Sequence, residues 1–377
     1  MAARPRLLYI SPVVPMLTGN GLAMRAGIVL EALAHLYDVD LLVAPLYPPF
    51  LAAVPEPFAK LCHRAAIVPT RPQPPRQWAD SRFDVVHVFR LSMLPFSRPY
   101  LSGWWRRPQR HLDLDDIESV TRRRLAALYR QNGDAAAADR EAAAALRQEA
   151  LEAETLRTFH RVYVCSAGDG RVLETRGHAR AQLRVLPNAV RLPAPVPAPP
   201  ADGVFTFLFV GTLGYYPNED AVRLLCAEIV PRLRKFAPGR FAVHIAGTGA
   251  AKSLIEAANV PQVRFLGEVP NLDPYYAQAH AVLAPIRAGG GTRIKVLEAF
   301  SYGRPVVATN IAMEGIEARP EEHVLIGDTP EVLAQQCARL VFDRALGQRL
   351  AGNALALLRQ RYTVEALAAA LGDIGGR

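Results

Sequence analysis

Two doubly wound α/β domains in tandem are the architecture predicted by this sequence, on three observations. Its 377 residues suit two domains at roughly 100–200 residues each. Short apolar runs alternate with segments of helical period, first along one half and then along the other. A stretch with five prolines, RLPAPVPAPPADG (191–203), divides the two series and can continue neither a helix nor a central strand. Boundaries follow at 1–190, 191–203 and 204–360, with a C-terminal helix over 361–377 placed to pack back on the first domain.

The first strand is RLLYIS (6–11), an apolar run suited to burial. A loop with Pro15, Gly19 and Gly21 leads into MRAGIVLEALAHL, where Ile28, Leu30, Leu33, Ala34 and Leu36 fall at helical spacing. DVDLLVAP completes a βαβ unit. Further strands are expected at FDVVHVF, RHLDLDD and RVYVCS, with a long, mostly solvated helical stretch over 122–157. Beyond the prolines come TFLFVGT, a helix through DAVRLLCAEIVPRLR, FAVHIAGTG, a helix at SLIEAA, then VRFLGEV, AVLAPI, a helix at IKVLEAF, and RPVVAT. Two such domains would hold a ligand cleft at the C-terminal ends of their strands.

Composition excludes several classes. Hydrophobic residues are 50% and charged residues 21%, unlike disordered or collagenous chains. Cys62, Cys165, Cys226 and Cys337 lie far apart, without the spacing of a zinc site or a disulfide scaffold. No signal-peptide core or spanning segment is evident, so a cytoplasmic protein is expected. The formal charge of +9 admits nucleic acid, an anionic membrane face or a phosphorylated small ligand. No aromatic–basic module supports nucleic acid.

The densest chemical signal is AGGGTRIKVLEAFSYGRPVVAT (288–309). Gly289, Gly290 and Gly291 follow an apolar strand and precede a helix, where glycine lets backbone amides approach a ligand and the helix start offers free N–H groups. Arg293 and Lys295 add positive charge, and Glu298 lies three residues after Lys295 on one helix face. This pattern suits a nucleotide sugar, with diphosphate on the amides and Lys295 and ribose on Glu298. The plain alternative is a tight turn with a surface Lys–Glu pair.

The whole string resembles the donor-binding signature of retaining family-4 glycosyltransferases, which have the GT-B fold of two Rossmann-like domains facing a central cleft. SPVVPMLTGNGLAMRAGIVLEALAHLYDVDLLV, VLPNAVRL, FLFVGTLGYYPNEDAVRLL and VRFLGEVPNLDPYYAQAHAVLAP are similar to further family segments, so the resemblance covers nearly the entire chain. DLDDIES matches a segment of some bacterial exopolysaccharide-type sugar transferases. The resemblance implies a metal-independent, retaining transferase in polysaccharide biosynthesis that uses a UDP- or GDP-linked sugar as co-substrate, with no cofactor of its own. A glycan, a lipid-linked molecule or a small molecule would accept the sugar.

Carried over by resemblance, Gly19, Asn20 and Gly21 would touch donor phosphates or the acceptor. Gly211 and Thr212 would line the phosphate side, and Val269 would meet the base. Gly289, Gly290, Gly291, Thr292, Arg293 and Lys295 would hold the diphosphate, and Glu298 the ribose. Two departures stand out. Many relatives carry Glu where this chain has Gly290, and many have Arg and Lys after the VG that here opens VGTLGYYPNED. Asp115 stands where many relatives have a catalytic-side His; Asp115 and Asp116 either face the sugar or cap the next helix with Ser119. The D-x-D of DLDD also resembles a metal-binding motif of the other glycosyltransferase fold, a use to which a GT-B domain does not put it.

Lone His87 and His111 on strands are expected to be hydrogen-bonded core residues rather than catalysts. Tyr215, Tyr216 and Asn218 suit either donor contact or a turn built on Pro217. LSGWWRRPQR (101–110) suits a peripheral membrane or lipid-linked-acceptor contact, or else a solvated basic face. Rival functions are a nucleotide-sugar epimerase on the same fold and a non-catalytic nucleotide-sugar or glycan-binding protein.

Overall fold

The structure, a computed structural model, describes residues 4–48, 50–68, 75, 78, 81–101, 107–200 and 203–375. The chain divides into two compact units. Unit 1 takes residues 1–126, 135–189 and 364 onward; unit 2 takes 127–134 and 190–363.

Unit 1 holds seven parallel strands: β1 (Arg6–Ser11), β2 (Asp38–Val43), β3 (Arg64–Ile67), β4 (Val85–Phe89), β5 (Gln109–Asp113), β6 (Arg161–Val164) and β7 (Leu183–Val185), in the order β3-β2-β1-β4-β5-β6-β7. Central strands such as β4 are buried along their whole length, because helices cover both faces of a parallel sheet. The helix Gly21–Leu36 is capped by Asn20, whose side chain accepts from the Ala23 amide. Against this helix lies the C-terminal helix Val364–Gly375, whose Val364, Leu367 and Leu371 share a core with Ala26, Val29 and Leu33.

The expected single helical stretch over 122–157 is two helices, Glu118–Gln131 and Ala135–Thr155. Gly133, at φ +85°, breaks them. The second is mostly solvated, as expected, with Ala137, Ala138, Ala145 and Glu152 its buried positions.

Unit 2 holds six parallel strands: β8 (Phe205–Val210), β9 (Phe241–Ala246), β10 (Val263–Gly267), β11 (Ala281–Ala284), β12 (Val306–Ala308) and β13 (Leu325–Ile326), in the order β10-β9-β8-β11-β12-β13. The helical run after β8 contains a wide turn, Leu225–Ile229, in which the Val230 amide reaches the Leu225 carbonyl. Pro231 follows directly and has no N–H to lose, so the widened turn absorbs it. Both sheets are thus doubly wound, with order reversing at β1/β4 and at β8/β11.

Candidate functional site

In unit 2 the loops after β8 and β11 flank the point where strand order reverses, the usual ligand position of such a sheet. Gly211 ends β8. A methyl group there would lie 2.8 Å from Lys295 Nζ and 2.9 Å from Asn218 Cγ, so the absent side chain makes room for both. Gly247, after β9, comes closer still: its Cβ would stand 1.8 Å from the Gly211 carbonyl oxygen.

The glycine loop after β11 uses its freedom twice, with Gly289 at φ +125° and Gly291 at φ +62°. Arg293 turns back on this loop and donates to the carbonyls of Gly290 and Gly291, the latter at 2.6 Å. Thr292 is buried, and its hydroxyl has no partner among the described residues. The helix Ile294–Ser301 then begins with no side-chain cap, and of its first amides that of Val296 donates to the Arg293 carbonyl at 2.9 Å. Tyr302 closes it and Gly303, at φ +63°, turns the chain toward β12.

Lys295 Nζ donates to Asn218 Oδ1 at 2.6 Å and sits 4.5 Å from the centre of the Phe209 ring. Asn218 is itself fixed, because its Nδ2 donates to the Thr212 carbonyl at 2.8 Å. Burial, and after it the charge of Arg293, hold the Lys295 ammonium down to about 7 against the opposing pull of Glu298. Burial likewise pushes the Glu298 carboxyl up to about 7, with Lys295 working against it. The surface Lys–Glu pair is not what forms: both side chains are partly buried, and Lys295 spends its hydrogen bond on Asn218.

Beside this group, Asp220 takes a bidentate pair from Arg287, Nε at 2.9 Å and Nη2 at 2.5 Å. Asn132 joins them, donating to Asp220 at 2.7 Å and to the Tyr216 hydroxyl at 2.8 Å. Tyr216 stacks on Tyr129 at 3.8 Å between centroids. Tyr215 stays 45% exposed. Val269 lies in the loop after β10 and is partly buried.

A second cluster lies in unit 1, at the ends of β4 and β5. Buried Arg25 donates to Asp113 Oδ1 at 2.7 Å, to Asn188 Oδ1 at 2.9 Å and to the Leu186 carbonyl at 3.2 Å. Its Nε stands 3.5 Å from Asp115. Although burial opposes its charge, Asp113, Cys165 and Asp115 hold Arg25 above its ordinary value. Arg90 pairs with Asp116 and lies 3.4 Å from Asp115. Arg90 and Asp115 both carry positive φ, +73° and +61°, which is costly for non-glycine residues and needs a surround that enforces it. For Asp115 one such tie is its own amide, which donates to Asp113 Oδ1 at 3.0 Å. Burial raises the Asp115 carboxyl against the pull of Arg25 and Arg90.

Several expectations change here. Beside the helix Glu118–Gln131, for which Asp115 and Asp116 are candidate caps with Ser119, Ser119 donates to Glu152, while Asp116 accepts from Thr121 and Arg90. His87 is a core residue, but neither ring nitrogen has a partner among the described residues. It stacks on Tyr163, and burial lowers it to about 4, so it stays neutral. His111 does reach Tyr163, at 3.4 Å. Residues 102–106 of the basic Trp–Arg segment (101–110), both tryptophans included, lie outside the described residues.

The structure gathers Gly211, Asn218, Lys295 and Phe209 in one place, and it puts Gly19, Asn20, Gly21 and Asp115 in unit 1. Sequence reasoning missed Arg25, whose only signal was a charge in an otherwise apolar helical stretch. Among the described residues no helix is long and apolar enough to cross a membrane.

Residues 204–343 match the family model of glycosyl transferases group 1, which covers the glycine loop, Lys295 and Glu298. A search of the curated proteins finds no match. Among solved structures, sucrose-phosphate synthase of Thermosynechococcus elongatus is similar over 99% of this chain and 98% of that one, at 17% identity and a TM-score of 0.73. HepE of Anabaena, solved with UDP and glucose, covers 98% of this chain and 99% of its own at 12% identity and 0.70. A trehalose 6-phosphate synthase of Burkholderia multivorans covers 98% and 96% at 13% and 0.68. These likenesses are of fold, the two parallel-sheet domains of GT-B glycosyltransferases. The family match falls within unit 2.

Proposed function

We propose that this chain is a retaining, metal-independent glycosyltransferase that moves a sugar from a UDP- or GDP-linked donor to a glycan, lipid-linked or small-molecule acceptor. The observation that carries the reading is the uncapped glycine loop and helix start, with Lys295 held over Phe209 and Glu298 one turn on. Amides and ammonium together can hold a diphosphate, and Glu298 can accept from ribose hydroxyls. The solved complex of HepE with UDP and glucose supports a uridine donor.

As the anomeric C–O bond breaks, negative charge develops on the departing diphosphate. Lys295 and the preorganised loop amides stabilise that charge without reorganising. The departing phosphate oxygen takes the acceptor hydroxyl proton, and the new bond forms on the same face. The anomeric configuration is thereby kept, and no carboxylate nucleophile is needed. Arg293 braces the loop that supplies the amides. Asp115, partly exposed and held by Arg25 and Arg90, is the sugar-side contact in this reading. The work is polysaccharide or glycoconjugate assembly in the cytoplasm.

A thermal-shift panel of UDP, GDP, ADP and TDP with their sugars tests this, since a ligand that binds only the native state raises its melting point. One nucleotide series should shift it, and release of that nucleotide should then require an acceptor. No shift with any of them overturns the proposal. Binding without transfer or hydrolysis favours the non-catalytic alternative that Gly290 keeps open.

A further inference from the structure

We propose that Asn218 is a positioning residue for Lys295: a neutral acceptor that aims the ammonium without cancelling its charge. The inference rests on the reading of Lys295 as the diphosphate-binding cation. Asn218 is 8% exposed, and its amide has one workable orientation. Nδ2 must donate to the Thr212 carbonyl, which leaves Oδ1 as the end that faces Lys295 Nζ. The glycine at 211 leaves the space in which the two meet.

The same helix shows what an acid would do. Two residues on, Asp220 closes a bidentate ion pair with Arg287, and that charge is spent inside the protein. At position 218 the helix instead offers an amide, so the hydrogen bond is kept and the positive charge stays available to an anion. The other groups around Lys295 are the Phe209 ring from β8 and, from its own helix and cap, Glu298 and Arg293.

The test is calorimetric binding of UDP and of GDP to the full chain, from about pH 5.5 to pH 9, a window that brackets the value of about 7 to which burial brings both Lys295 and Glu298. Parent, Asn218→Asp, Asn218→Ala and Lys295→Ala are compared, each also in a Glu298→Gln background that removes the second titration near Lys295. With Lys295 held down to about 7, parent affinity falls as pH rises through that region. In Asn218→Asp a carboxylate beside the ammonium shifts this fall upward by about one pH unit or more, while binding at low pH weakens by about tenfold. In Asn218→Ala the fall shifts downward, because a hydrogen bond to the charged form is lost. A merely structural role would not move the two variants in opposite directions. The Asp variant keeps the shape of Asn but gives up the bond to the Thr212 carbonyl, so the urea midpoint of each variant is measured beside its binding. If both variants keep the parent affinity and pH profile while Lys295→Ala abolishes binding, the proposal for Asn218 falls alone. If the parent binds neither nucleotide, and Lys295→Ala is no different, the reading of Lys295 falls and takes this one with it.

Discussion

The two charged clusters, one in each unit, handle buried charge in opposite ways. In unit 1, Arg25 meets Asp113 and Asp115, and Arg90 meets Asp115 and Asp116, so each cation is consumed by carboxylates of the same fold. In unit 2, Lys295 hydrogen-bonds an amide and sits over a ring, with Glu298, whose carboxyl burial pushes up to about 7, one turn on, and buried Thr292 has a hydroxyl without a partner among the described residues. A cluster whose charges are satisfied internally fixes the shape of the chain. One whose donors are held in place but left uncancelled is arranged to receive something. Asp115 is the point of overlap, tied like a structural group yet strained like a functional one.

The first way to break this contrast is to open the closed cluster. Arg25→Met should cost about 3–5 kcal/mol in urea unfolding, because it strands the buried Asp113 carboxylate. Arg25→Met with Asp113→Leu should recover most of that loss. A single-variant cost under about 1 kcal/mol would show that the pair does not hold the fold. Next in size, Lys295→Ala should lower transfer by about 100–1000-fold, measured as released nucleotide, with an unchanged urea midpoint. Transfer at the parent rate would remove Lys295 from the site.

Gly211→Ala should raise the donor KM by about tenfold, as its methyl displaces Lys295 or Asn218. The smallest effect sharpens the comparison through pH. Folding raises the Glu298 carboxyl from an ordinary 4.5 to about 7, so its protonated form favours the native state. The parent therefore keeps that contribution below about pH 4.5 and loses it as pH rises through 7, whereas Glu298→Gln does not. The variant should melt a few degrees above the parent at alkaline pH and alike in acid, while binding nucleotide more weakly. The opposite order in a melting series would mean that the Glu298 carboxylate is stabilised by the fold.

What could be read from the sequence follows from distance along the chain. Gly289–Gly291, Lys295 and Glu298 lie within one short run, so their chemistry was legible from spacing. Asn218 and Lys295 are 77 residues apart, and Arg25 and Asp113 are 88. No local period reveals such partners. The strands also divide by position. The buried strands of both sheets announced themselves as apolar runs, but β3, β7 and β13 did not. All three are sheet edges, with only partial burial and two to four residues each. The break at Gly133 was hidden by the alanine-rich sequence that follows it, which favours a helix whatever its neighbours do.

The backbone contact between Gly247 and Gly211 has a consequence for how this chain can vary. A side chain at 247 would have to displace a carbonyl of the main chain, which cannot swing aside as the tip of a lysine can. In a saturation library selected for activity, position 247 should therefore be as intolerant as Lys295 itself. It would score as a functional residue although its own part is to leave empty the volume through which two neighbouring loops pass.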